Sequence, residues 1–182
     1  MTRIESVCFS FVVPETATTG PATVRVELVA SDGRLTALRL LKLDMPPAGH
    51  APECFPSAEH TPIFDRAAAQ LAEYFSRKRQ TFDLPLAPEG TPFQHRVWDA
   101  VSQIPYGQTR SYWWVAVRMG DPRAFRAVGA ANGANPLPII IPCHRVIRHD
   151  GTLGGYSGGL DWKRFLLALE GVEIPPIAEP VL

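Results

Sequence analysis

Ser111-Tyr112-Trp113-Trp114-Val115-Ala116-Val117-Arg118-Met119-Gly120-Asp121-Pro122 holds a helix start, a stop and a second start within one short stretch. Ser111 is an N-cap residue whose hydroxyl can satisfy a free backbone N–H of the first turn. The helix is expected to run to Met119 and to end at Gly120. Asp121-Pro122 then restarts a helix at once, with Asp as N-cap and Pro in the first turn. Two short helices joined by a tight Gly-containing turn form a helix-turn-helix.

Working outward, Thr91-Pro92-Phe93-Gln94 reads as a capping box with Pro at N1. Phe93, Val97, Trp98, Val101 and Ile104 form the buried stripe of that helix, and Pro105-Tyr106-Gly107 stops it. Asn135-Pro136-Leu137-Pro138 ends the second helix of the helix-turn-helix. Ile139-Ile140-Ile141 is expected as a buried extended piece between prolines. The last helix carries Trp162, Phe165, Leu166 and Leu169 and closes at Gly171.

The first half has a different period. Val24, Val26 and Leu28 alternate with Arg25 and Glu27, as do Val7, Phe9 and Phe11 with their neighbours, which is strand patterning. Asp32-Gly33 is a two-residue hairpin signal. Residues 45–62 are rich in Pro, Ala and His and read as a linker or ordered loop. Phe64, Ala68, Leu71 and Phe75 then mark one helix face, ending near Ser76-Arg77-Lys78-Arg79. Phe82–Pro88 is extended and joins the two parts. The expected fold is α+β. A small N-terminal sheet-and-helix subdomain (1–86) packs on a helical C-terminal subdomain (87–182) with the helix-turn-helix.

The chain has 182 residues, 46% of them hydrophobic, and a net charge of zero. No stretch approaches the ~20 apolar residues of a membrane span. No basic, then apolar, leader opens the chain. The expected location is therefore the cytoplasm, or the nucleus in a eukaryote. Cys8, Cys54 and Cys143 are too few and too scattered for a disulfide framework. The charge is unevenly spread: residues 1–90 hold 9 Lys+Arg against 11 Asp+Glu, while residues 91–164 hold 9 against 4. Eight of those nine C-terminal cations are Arg, the better phosphate ligand. Ordinary surface charge and contact with DNA are both compatible with that distribution.

Chemistry points to Pro142-Cys143-His144-Arg145-Val146. A thiol is nucleophilic as its thiolate, and an unperturbed one, near pKa ~8.5, is mostly protonated at neutral pH. An adjacent His can take the proton, and Arg145 and Arg148 nearby favour the anion. Neighbours in a strand face opposite ways, so His144 is expected to act through a turn or a bridging water. A Cys-His pair alone is more commonly a buried inert thiol beside a structural His.

The ordered set of motifs is more specific. Pro142-Cys143-His144-Arg145-Val146, preceded by Asn135-Pro136-Leu137-Pro138-Ile139, resembles the active-site signature of the O6-alkylguanine-DNA alkyltransferases. Phe93-Gln94, Val97-Trp98, Ile104 to Tyr112, Arg126-Ala127-Val128-Gly129, Gly155 to Leu160, and Lys163 with Leu166, Leu167 and Glu170 stand in that family's order. The resemblance covers roughly 91–171.

It implies direct repair of duplex DNA containing O6-alkylguanine, with O4-alkylthymine as a further candidate substrate. The alkyl group passes once and irreversibly to Cys143, without cofactor or metal, in a monomer that binds no membrane. It implies His144 as the base, oriented by Glu170 and bridged by water, and Asn135 as the brace of the active-site turn. Tyr112 is implied to contact the extruded base and its phosphate. The carbonyls of Cys143 and Val146 would accept from the guanine amine, and the Ser157 N–H would donate to O6. Pro138 and Tyr156 would wall the alkyl pocket. Arg126 would enter the duplex from the minor groove and replace the extruded nucleotide, since the attacked carbon lies inside the stack. Ala127 and its small neighbours (Ala124, Gly129, Ala130, Ala131 and Gly133) would let the helix approach that groove.

A relative that binds alkylated DNA without repairing it would carry Trp in place of Cys143. A cysteine hydrolase would turn over, and a transcriptional regulator would bind independently of alkylation. His50, Cys54 and His60 with Cys8 lack the regular spacing of a zinc set. Trp113-Trp114 and Phe125 depart from the family pattern. At ~100° per residue, Trp114 lies opposite Tyr112 and should enter the core. Trp113 falls at the helix edge, where it touches DNA or packs on a neighbouring helix.

Overall fold

Asp32 and Gly33 both take positive φ, 52° and 72°, and reverse the chain between two long strands. This primed geometry matches the strand twist, which is why Asp-Gly is selected there. The computed structural model describes residues 4–14, 22–44 and 61–173. Strands β1 (Ile4–Val13), β2 (Ala22–Ser31) and β3 (Arg34–Asp44) form an antiparallel sheet in the order β1-β2-β3. Val24 faces Phe11 and Leu43, and Leu28 faces Val7 and Leu38, so apolar positions meet across the sheet. β2 is the central strand and buries Arg25, Val29 and Ala30 as well as Val24, Val26 and Leu28. Simple alternation therefore understated how much of it is covered.

Helix α1 (Pro62–Phe75) lies against β1 and β2. Phe64, Leu71 and Phe75 are buried as expected, while Ala68 is half-buried and Ala67 and Tyr74 take inner positions. The expected loop over 45–62 falls almost wholly outside the described residues, as do His50, Cys54 and His60. Among the described residues no group of three His, Cys, Asp or Glu could hold a metal, and no helix is long and apolar enough to cross a membrane.

The C-terminal part consists of α2 (Pro92–Ser102), β4 (Arg110–Ser111), α3 (Tyr112–Arg118), α4 (Phe125–Gly133), β5 (Val146–Ile147) and α5 (Leu160–Leu169). The Thr91/Gln94 capping box is present in full. The Ser111 hydroxyl accepts from the Trp114 N–H, and Gly120, at φ 84°, ends the α3 turn. α3 and α4 pack together as the expected helix-turn-helix.

Two local expectations are corrected. Asp121 makes no side-chain cap; its carbonyl instead accepts from the Ala124 N–H, and a 3₁₀ turn (Pro122–Ala124) precedes α4. Residues 139–141 are not extended but form a turn closed by Ile141 N–H on the Leu137 carbonyl, with Ile139 at φ 72°. Flanking prolines cannot donate to a ladder, so the loop folds on itself.

The two parts meet along β3. The Leu35 N–H donates to the Pro85 carbonyl, and the Leu35 carbonyl accepts from Ala87. The Leu38 N–H donates to the Pro136 carbonyl at 2.8 Å. The sheet edge thus holds the connector and the Asn135–Pro138 loop in place. Leu40 packs so closely on Gly158 that a Cβ there would sit 2.7 Å from its methyl and push the Leu40 side chain aside.

Candidate functional site

Asn135 builds the loop that presents the cysteine. Its Oδ1 accepts from the Leu137 N–H at 3.0 Å, and its Nδ2 donates to the Ile141 carbonyl at 2.8 Å. This clamp holds Ile139, a buried β-branched residue, in the left-handed region it ordinarily avoids, a conformation that costs ~1–3 kcal/mol. Pro142 then leads into a 3₁₀ turn, Cys143–Arg145. Cys143 and His144 are therefore neighbours on a turn. Asn132 of α4 fixes the same turn by donating from Nδ2 to the Cys143 carbonyl at 3.2 Å.

Glu170, the C-cap of α5, is fully enclosed and surrounded by donors. On Oε1 it accepts from the Tyr74 hydroxyl (2.7 Å), His144 Nε2 (2.8 Å) and Arg145 Nη2 (2.9 Å). On Oε2 it accepts from Arg145 Nε (2.8 Å) and the Gly107 N–H (3.1 Å). Burial alone would raise its pKa, but the His144 hydrogen bond and the Arg145 guanidinium overcome that and hold it at about 2. A carboxylate of this kind takes a proton from nothing nearby. It fixes Nε2 of His144 as the protonated nitrogen and leaves Nδ1, buried and without a hydrogen-bond partner, as the basic one. Burial lowers the His144 pKa below its ordinary value despite the Glu170 hydrogen bond, so the ring is neutral at neutral pH.

The Cys143 thiol is buried, and that burial raises its pKa; Asn135, the Tyr156 hydroxyl and the Lys163 charge pull the other way without prevailing. The resting group is a thiol beside a neutral base. Lys163 is itself buried on α5, its ammonium donating to the carbonyls of Val146 (2.7 Å) and Leu153. Burial lowers its pKa to about 8.

Cys143, His144, Glu170, Asn135 and Tyr156 thus converge. A cavity of about 440 Å³, lined by Tyr112, Asn132, Arg148, Tyr156 and Ser157 among others, opens beside them. Gly154, at φ 66°, lies so near the Tyr112 hydroxyl that a side chain there would displace it. Val146 and Pro138 are buried and outside that lining. The Val146 carbonyl accepts from Lys163, and the Cys143 carbonyl accepts from both Asn132 Nδ2 and the Val146 N–H. Arg126 and Ala127 are exposed on α4. Ala130 and Gly133 share that exposure, but Ala131 turns inward, its carbonyl accepting from Trp98 Nε1.

One expectation fails at the thiol. Arg145 does not face the sulfur; both its ends are committed, to Glu170 and to the Ile104 carbonyl. Lys163 supplies the positive charge that acts on Cys143. Lys163 and Tyr74 were missed. Each sits on an apolar helix face, at 163, 166, 167 and 170 or at 64, 67, 71 and 74, where a polar tip must find a partner.

Comparison with known proteins places most of the chain. Residues 92–172 match the 6-O-methylguanine DNA methyltransferase DNA binding domain, and residues 25–88 match the ribonuclease-like domain of the same proteins. The methylated-DNA–protein-cysteine methyltransferase of Methanosarcina barkeri is 61% identical over 112 residues, 62% of this chain and 71% of that protein. The Mycobacterium bovis protein of the same name is 46% identical over 156 residues, 86% of this chain and 89% of its own. The crystal structure of Mycobacterium tuberculosis O6-methylguanine methyltransferase superposes with a TM-score of 0.64 at 39% identity, covering 93% and 96% of the two chains. Mycobacterium tuberculosis OGT in complex with DNA gives 0.68 at 43% identity, covering 88% and 93%.

Proposed function

The chain belongs to the 6-O-methylguanine DNA methyltransferase family, and from that premise we propose how its own residues carry out DNA repair by alkyl transfer to a cysteine. The substrate is O6-alkylguanine in duplex DNA, and Cys143 is the acceptor. The chain acts as a monomer in the compartment that holds the DNA, and O4-alkylthymine is a second substrate to be tested.

The carrying observation is the buried sequence of groups from Cys143 to His144 to Glu170, with His144 Nδ1 unengaged and Nε2 tied to a permanent carboxylate. In the reaction the Cys143 proton passes through a bridging water to His144 Nδ1. The sulfur lone pair forms the S–C bond to the alkyl carbon as the C–O6 bond breaks. That electron pair stays on the guanine, which takes back the proton from the imidazolium. Glu170 stabilises the imidazolium while it exists. The product is a thioether, which has no carbonyl for water to attack, so each molecule reacts once.

The cavity beside Tyr156 receives the base. Ser157 N–H donates towards O6, the Cys143 and Val146 carbonyls accept from the guanine amine, and Tyr112 contacts the base and its phosphate. Pro138 and Tyr156 wall the alkyl group, with Pro138 acting from beneath the lining. Arg126 fills the space left in the duplex, and Ala127 lets α4 approach the minor groove. Cys143→Ser tests this: it should bind an O6-methylguanine duplex as the parent does and accept no methyl group. Methyl transfer to that variant would overturn the assignment.

A further inference from the structure

A second cavity, of about 510 Å³, adjoins the pocket just described and shares Tyr112, Gly129 and Arg148 with it. Trp113, Phe125, Arg126 and His149 also line it. Trp113 is 54% exposed and Phe125 43%, a large aromatic area left in water on one face. Trp114, the next residue, is half-buried and packs on the core with Arg110 over its ring. Fold stability accounts for Trp114 and does not account for Trp113 or Phe125.

We propose that this cavity is an aromatic subsite that takes one nucleobase of the duplex, unstacked next to the lesion, on the faces of Trp113 and Phe125. The inference rests on the repair reading given above. Three observations select the occupant. The lining holds Arg126 and Arg148 and no carboxylate, which suits a polyanion. The lining holds the broad faces of Trp113 and Phe125, and every base has a π-face to stack on them, which a phosphate lacks. The shared wall makes the cavity continuous with the lesion pocket, so a strand that delivers a base to one passes the other.

Phe125 adds a coupling. The Arg126 guanidinium lies over its ring at 5.7 Å. When Arg126 extends into the duplex it leaves that face, and a base can take its place. One cation–π contact is exchanged for one stack, so the insertion of Arg126 and the capture of the neighbouring base favour each other.

The experiment measures affinity for O6-methylguanine duplexes with Trp113→Leu, Trp113→Phe and Phe125→Ala. Each is measured on a full duplex and on three duplexes with an abasic residue placed 5′ of the lesion, 3′ of it, or opposite it. Trp113→Leu keeps an apolar contact and loses the π-face, so it should bind the full duplex roughly 5- to 150-fold more weakly. Trp113→Phe should keep most of the affinity. On one of the three abasic duplexes the Trp113→Leu loss should vanish, and the Phe125→Ala loss should vanish on the same one. Losses that persist on all three, or no loss on the full duplex, would overturn the subsite. Failure of the parent chain to accept a methyl group would instead overturn the repair reading.

Discussion

Replacing Tyr74 by Phe removes one hydroxyl from the buried carboxylate of Glu170 and leaves the ring packed between Phe75, Phe82 and Tyr106. A hydrogen bond to a charged group contributes ~1.5–3 kcal/mol. Oε1 keeps donors from His144 and Arg145, so the substitution orphans no acceptor and the loss belongs near the lower value, ~1.5 kcal/mol. For a chain of this length that lowers the melting midpoint by roughly 3–6 °C.

The pH dependence is specific. Glu170 has its pKa lowered from 4.5 to about 2, so its contribution is complete above 4.5 and is lost as pH falls towards 2. Burial, with Glu170 beside it, raises the Tyr74 pKa well above 10, so the folded chain holds that proton while the unfolded chain releases it, and stability falls above pH 10. The parent–variant gap should therefore be widest between pH 5 and 10 and close on both sides. The assay is a series of thermal melts across that range. A variant melting within ~1 °C of the parent at neutral pH would refute the view that Tyr74 holds a charged Glu170.

Glu170→Gln leaves the buried Arg145 without its counter-charge and should cost ~3–5 kcal/mol of stability. Assayed well below its melt, it should transfer methyl ~10²–10⁴ times more slowly with DNA affinity nearly unchanged; a normal rate would break the relay. Arg126→Ala should impair reaction with duplex DNA far more than with free O6-benzylguanine, which needs no extrusion, and equal losses would assign Arg126 to the fold or the pocket. Because burial lowers the His144 pKa below 6.5, the base stays neutral through that value, so the transfer rate should hold down to pH 6.5 and fall only below it. Over the same range the unfolded chain binds the extra proton first, so His144 also costs stability as pH falls below 6.5. A rate midpoint above 6.5 would contradict this.

Local signals in the sequence carried the layout. Asp32-Gly33, the Thr91 capping box and Gly120 each act over a few residues, and each appears in the structure as read. Cys143, His144 and Glu170 were legible through motif order, and the structure brings them together. Asp121 was misread because a backbone carbonyl competed for the donor its side chain would have taken. Residues 139–141 were misread because three β-branched apolar residues look like a strand until Asn135 bridges both ends of the loop. Arg145 was assigned to the thiol by proximity in sequence, whereas a turn directs it to Glu170. Tyr74 reaches Glu170 across 96 positions, a pairing set by the packing of α1 on the C-terminal part, to which no local pattern refers.

The central claim is that Cys143 is consumed by one alkyl group. It is tested by mixing the protein with excess O6-methylguanine duplex and mapping its peptides by mass spectrometry over time. The account expects a single methyl on the peptide containing Cys143, reaching one per molecule and then stopping. Continued conversion beyond one equivalent, or a methyl on Cys8 or Cys54 in place of Cys143, would contradict it.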